Sequence, residues 1–214
     1  MRWLVALALL AVVSLGMLVV AFRGDGSGAP GAAVVRLSSE GPYRGSEPPG
    51  GIHLPDFALR DVSGEVVRSA DLRGRVLLLT FLDSQCTESC PIIASQVARA
   101  LDSLTRAERE RVTAVAISTD PAEDTRENVR AFLERNRALG KLRYLGGEEP
   151  ATKMRALWKT FAILSSLESG TDTLHSAPVR VYSRNGVWVS TLHAGADLTP
   201  VNLAHDIRVA LERG

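Results

Sequence analysis

The chain is short of several residues on which common functions depend. Its 214 residues contain two Cys, three Met, four His and, among aromatics, three Trp, three Tyr and five Phe. Two cysteines exclude a multi-bridge disulfide miniprotein and a zinc site built on four thiolates. Only three Lys stand beside 22 Arg, and these bases are matched by 24 acids, for a net charge of +1. With no excess of one sign and no clustered basic stretch, a nucleic-acid footprint is absent. What is abundant is apolar: 45% of residues are hydrophobic, which excludes disorder and supplies the core of one domain without covalent staples.

Residues 3–22 form an uncharged apolar run interrupted only by Ser14 and Gly16. A helix of that length rises about 30 Å, the thickness of the hydrocarbon core of a bilayer. The amino terminus and Arg2 precede the run, while Arg23 is offset by Asp25. The positive-inside rule then leaves the amino terminus in the cytoplasm and the remaining chain outside. Residues 1–23 therefore read as a transmembrane anchor, or as a signal peptide cut after Val19-Val20-Ala21. Both export the domain. Residues 24–51, with eight Gly and four Pro, read as a flexible tether. Residues 52–214 read as the folded domain. The absence of an Arg- and Ser-rich transit segment favours a bacterial cytoplasmic membrane with the domain on its extracytoplasmic side.

Within the domain, apolar residues around Asp61-Val62-Ser63-Gly64 predict a short hairpin. Residues 76–82 (VLLLTFL) predict a strand covered on both faces. A helix is expected over 91–104, with Ile93, Val97, Leu101 and Leu104 as its apolar stripe. A strand follows at 112–117, then a helix capped by Asp124 or Thr125 and reaching Ala138. Further elements are a strand at 142–145, a helix at 151–163, strands at 179–182 and 187–192 about the Asn185-Gly186 turn, and a helix from Pro200 to near Leu211. The alternation predicts an α/β fold with a mixed central sheet and helices on both faces, arranged as in thioredoxin, with an added N-terminal hairpin.

Both cysteines lie in Cys86-Thr87-Glu88-Ser89-Cys90-Pro91, where the first buried strand hands over to a helix. Sites in open α/β sheets gather at the carboxyl ends of strands, and a helix amino terminus favours thiolate. The spacing is C-x-x-x-C, not the C-x-x-C of thioredoxin exchange. On a helical turn it puts both sulfurs on one face, about 5–6 Å apart at Cβ. Three readings stay open on these residues: a permanent disulfide, a metal-binding pair and a redox pair. His175, at the end of a Gly- and Ser-containing loop before the 179–182 strand, is the candidate third ligand. His53, His193 and His205 have ordinary surface contexts. Two thiolates and an imidazole suit Cu(I) or zinc, whereas calcium and magnesium require oxygen ligands. A closed zinc site would need a fourth ligand.

Residues 54–64, with Leu54-Pro55-Asp56-Phe57-Ala58-Leu59, Asp61 and Gly64, resemble the entry hairpin of the Sco/SenC copper chaperones and of peroxiredoxins. C-x-x-x-C-P resembles only the former. Ser118-Thr119-Asp120-Pro121-Ala122-Glu123-Asp124-Thr125 and His175-Ser176 also match the Sco/SenC pattern, and the resemblance covers residues 43–211. It departs at Thr87, where the family has Pro, and at Leu174, where the family has an Asp that can support the imidazole. The resemblance implies one copper ion, Cu(I) or Cu(II), held by Cys86, Cys90 and His175. It implies a metallochaperone rather than an ordinary enzyme. The implied partners are the copper-site subunit of cytochrome c oxidase, another copper chaperone, and the membrane through the N-terminal helix. An exported thiol–disulfide oxidoreductase using Cys86 and Cys90 is the alternative. A peroxidase is disfavoured because Asp83 stands where the T-x-x-C motif needs Thr.

Overall fold

The computed structural model describes residues 41–163 and 177–214. Strand β3 (Val76–Leu82) is the spine of the sheet, and all seven of its residues are buried. A nearly continuous apolar run, VLLLTFL, suits this place because both faces are covered. Strand β4 (Val112–Ser118) pairs parallel to β3, and β5 (Arg143–Leu145) pairs parallel to β4. On the other side β6 (Val179–Tyr182) pairs antiparallel to β3, and β7 (Trp188–Leu192) antiparallel to β6. The order is β5-β4-β3-β6-β7, the mixed sheet expected of a thioredoxin-like arrangement.

Alternation along β3 divides the core. Val76, Leu78 and Leu82 face helices α1 (Ser89–Asp102), α3 (Arg126–Arg135) and α5 (Pro200–Arg213). Leu77, Leu79 and Phe81 face helix α4 (Ala151–Thr160) and the hairpin of β1 (Ala58–Arg60) and β2 (Val66–Arg68). Each fully buried aliphatic side chain contributes roughly 1.5–3 kcal/mol of transfer free energy. The hairpin turns where Gly64, at φ +90°, donates its N–H to the Asp61 carbonyl. Asp61 then ties the hairpin to β5 through Arg143 at 2.6 Å.

Three boundaries differ from the sequence expectation, for physical reasons. Helix α3 stops at Arg135 and α4 at Thr160, three residues before the expected ends. Both close in Schellman fashion on a non-glycine residue in the left-handed region, Arg137 (φ 56°) and Ala162 (φ 52°). The N–H of Ala138 reaches the Leu133 carbonyl, and that of Ile163 the Trp158 carbonyl. Without Gly at these positions the stop is invisible in sequence. Helix α1 begins at Ser89, two residues before Pro91. Pro91 thus stays within the first turn, where its missing N–H has no intrahelical partner to lose. A short helix α2 (Arg106–Arg109) was not expected, although Thr105 and Glu108 form a capping box that signals it.

The tether expected through Gly51 ends earlier than its composition suggests. Tyr43 is buried, and Ser46 exchanges two backbone hydrogen bonds with Thr191 of β7, both 2.9 Å. The fully buried Asp206 carboxylate accepts the N–H groups of Arg44 (2.7 Å) and Gly45 (3.0 Å) and the Ser190 hydroxyl (2.6 Å). Gly45 is required by space: a Cβ there would lie 2.4 Å from Ser190 Oγ and 2.5 Å from the Thr191 carbonyl. Gly and Pro denote an irregular backbone, not an unattached one. Among the described residues no helix is long and apolar enough to cross a membrane; the apolar run at 3–22 lies outside them.

Candidate metal and thiol site

The site grows from the carboxyl end of β3. The chain leaves Leu82 and turns at Asp83, whose carboxylate accepts the Gln85 N–H at 2.7 Å and whose carbonyl accepts the Cys86 N–H at 3.3 Å. This Asx turn sets Cys86 just before helix α1 and Cys90 in its first turn. No disulfide joins them; both are thiols, Cys86 half-buried and Cys90 buried.

Their environments separate their acidities. The Cys90 thiol hydrogen-bonds to Cys86, and burial opposes ionisation there. The N–H groups of Cys90 and Glu88 and the Ser89 hydroxyl, 3.9 Å away, add to the first effect, so the Cys86 thiol is pulled down to about 6. Cys90, as the donor to Cys86 and buried against the core, is pushed far up. Cys86 is therefore the thiolate at neutral pH and Cys90 holds the shared proton. Such a pair can attack a disulfide through Cys86, or hold a soft metal ion if Cys90 gives up its proton.

A buried polar network supports this loop from below. Asp124 is 1% exposed. Its carboxylate accepts the Ser84 N–H (2.8 Å), the Ser118 hydroxyl (2.6 Å) and the Tyr144 hydroxyl (2.6 Å). The Tyr144 hydroxyl also lies 2.7 Å from the Leu82 carbonyl, and the Trp158 indole N–H donates to the Ser118 carbonyl at 2.8 Å. Burial raises the Asp124 carboxyl above the ordinary carboxylate value, and the hydrogen bonds from Ser118, Ser84 and Tyr144 offset only part of this. The sequence offered Asp124 or Thr125 as a helix cap. Thr125 caps α3 through the Asn128 N–H at 3.2 Å, and Asp124 is the strut beneath the cysteine loop. Gly147 makes room for it: a Cβ there would sit 2.2 Å from the Asp124 carbonyl oxygen.

His175 lies outside the described residues. The chain after it enters at Ala177, which packs against the same core as Cys86, and continues into β6 beside β3 with Leu79 opposite Arg180. The neighbouring of the histidine-bearing and cysteine-bearing segments expected from sequence thus holds for their strands. Among the described residues no group of three His, Cys, Asp or Glu could hold a metal ion. His53 pairs through its backbone with Val187, His193 sits near Asp197, and His205 hydrogen-bonds to Asp206 at 3.1 Å.

Fold and site together define a thioredoxin-like domain with a C-x-x-x-C dithiol at the strand-to-helix junction. The family model for SCO1/SenC matches residues 46–212, and the chain belongs to that family. A Stutzerimonas stutzeri protein named for copper binding is 27% identical over 134 residues, 62% of this chain and 65% of that one, just under two thirds of its length. Among solved structures, BsSco, a member of the Sco family of cytochrome c oxidase assembly proteins with an identified disulfide switch, matches with a TM-score of 0.64 and 19% identity, over 78% of this chain and 98% of that one. Yeast Sco1 matches with a TM-score of 0.62 and 18% identity, covering 76% and 99% of the two chains. Bradyrhizobium japonicum ScoI with copper bound gives 0.55 and 22%, covering 75% and 100%. At these identities the structural likeness concerns the fold.

Proposed function

We propose that this protein is a membrane-anchored copper chaperone that receives one copper ion through Cys86, Cys90 and His175. It delivers that ion to the copper-site subunit of cytochrome c oxidase, or keeps the cysteines of that subunit reduced. The reading places residues 1–23 as a single span in a bacterial cytoplasmic membrane, with the domain on the extracytoplasmic side. The observation that carries it is the dithiol itself, two unbridged thiols at the start of one helix. Membership of SCO1/SenC and the copper-bound ScoI relative support copper as the cargo. The donor set fits the ion: two sulfurs and an imidazole are soft, and three ligands leave copper open to invasion by ligands of a partner. Here Cys86 and Cys90 grip the ion, Ser84 and Asp124 hold their loop, and His175 closes the set.

The second reading is thiol–disulfide exchange, favoured by the asymmetry of the two thiols. The Cys86 thiolate attacks a partner disulfide, forming a mixed disulfide and releasing one partner thiolate. Cys90, losing its proton, then attacks Cys86 Sγ, which releases the reduced partner and leaves a Cys86–Cys90 disulfide. Copper titration of the full chain with reduced thiols, repeated on His175→Ala, tests both. One equivalent bound, with a thiolate-to-copper absorption band lost in His175→Ala, supports the chaperone. No copper binding, together with exchange activity that survives His175→Ala, overturns it in favour of the oxidoreductase.

A further inference from the structure

Strand β6 carries a charge that the described residues leave without a counter-ion. Arg180 is only 8% exposed. Its guanidinium carbon stands 4.5 Å from the centroid of Trp188 and 6.0 Å from that of Phe161. Part of it is held: Nη2 donates to the Phe161 carbonyl at 2.8 Å, and the side chain also hydrogen-bonds to the Tyr182 hydroxyl. Nε is buried and meets no acceptor, and no carboxylate among the described residues forms an ion pair with the side chain. A buried cation without an anion is costly, and stacking on aromatic faces recovers only part of that cost.

Arg180 lines a cavity of about 340 Å³, at the lower end of the size range of small-molecule sites. Its other walls are Trp188, Pro48, Pro49, Ile163 and Pro178, with Glu47, Thr191 and His193 also facing it. Flat apolar walls around one guanidinium fit a planar organic anion of single charge. A doubly charged phosphate would face the Glu47 carboxylate with its second charge unmatched. The cavity lies on the α4 side of the sheet, where Arg180 shares its strand face with Tyr182, and away from the core that receives Cys90.

We propose that this cavity is a binding site for a small organic carboxylate, in which Arg180 pairs with the carboxylate and Trp188, Pro48 and Pro49 flank its apolar body. A carboxylate in the cavity supplies the negative charge that the described residues withhold from the guanidinium, a planar group that pairs with carboxylates better than the compact ammonium of Lys does. The site is independent of the copper reading.

The test uses the full chain labelled with ¹⁵N-tryptophan, titrated with benzoate, with neutral benzamide of the same shape, and with inorganic phosphate. The Trp188 indole resonance reports on the cavity and the Trp158 resonance on the intact fold. Benzoate should move the Trp188 signal saturably, at least tenfold more tightly than benzamide or phosphate. The same tenfold loss, about 1.4 kcal/mol, is expected in Arg180→Met and a smaller loss in Arg180→Lys, while Arg73→Met binds as the parent does. Should Arg180→Met lose the Trp158 signal as well, Arg180→Lys carries the comparison. Binding should persist in the Cys86→Ser/Cys90→Ser variant, so failure of the copper proposal leaves this one standing. Equal shifts by benzoate and benzamide, competition by phosphate at equal strength, or no saturable shift would overturn the proposal.

Discussion

Asp124 permits a test in which two similar substitutions should differ sharply. Asp124→Ala removes the acceptor of three hydrogen bonds, from the Ser84 N–H, the Ser118 hydroxyl and the Tyr144 hydroxyl. The hydroxyls can adapt, since Tyr144 still has the Leu82 carbonyl at 2.7 Å and a serine hydroxyl rotates. The Ser84 N–H cannot: Ser84 is 1% exposed and its amide direction is fixed by the Asp83 turn. An orphaned buried donor costs about 1–3 kcal/mol. Adding the lost bonds, and subtracting the cost of burying a carboxylate, gives a net destabilisation of about 2–3 kcal/mol. Asp124→Asn keeps an oxygen for Ser84 and presents an amide N–H₂ to two hydroxyls that can accept, so its cost should stay below about 1 kcal/mol.

Urea unfolding of the two variants against the parent measures this difference. The sign of its pH dependence follows from the raised Asp124 carboxyl. A group whose folded pKa lies above its unfolded value contributes stability that is fully present below the unfolded value, about 3.9, and is lost as pH rises through the folded value. The parent should thus lose stability relative to Asp124→Asn as pH rises from acid across that window. Equal costs for Ala and Asn, or a parent that gains on Asn with rising pH, would refute the strut and its desolvated carboxylate.

In the metal-free protein, alkylation by iodoacetamide should occur at Cys86 first, with a rate midpoint near pH 6 rather than about 8.5; equal labelling of both cysteines, located by peptide mass, would contradict the assigned asymmetry. Arg137→Gly should raise unfolding free energy by about 0.5–1 kcal/mol, because Arg137 holds φ 56° at the end of α3 and only glycine does so without strain; chemical denaturation checks it. Gly45→Ala should destabilise by about 1–3 kcal/mol, since its methyl would meet Ser190 Oγ and the Thr191 carbonyl inside 3 Å. A thermal midpoint equal to that of the parent would mean that residues 43–46 do not hold the sheet.

Much of this protein was legible because its signals are local. The run VLLLTFL fixes β3 as a doubly covered strand, Asn185-Gly186 fixes the β6–β7 hairpin, and C-x-x-x-C-P at a strand-to-helix handover marks the chemistry. Composition also argued against whole classes, because two cysteines and balanced charge do not supply what they need. Other features depend on residues far apart in the chain meeting in space. Asp124 reads as one of two equivalent caps until Ser84, forty residues earlier, and Tyr144 are seen to donate to it. The Gly- and Pro-rich segment reads as tether until Asp206, more than 160 residues later, receives its backbone N–H groups. The unequal acidity of Cys86 and Cys90 also belongs to the folded state, since it comes from which sulfur is buried and which receives the hydrogen bond. Sequence periodicity records which side of an element is apolar. Only the packed structure decides which polar groups lose water, and each of those must then find its partner in the fold.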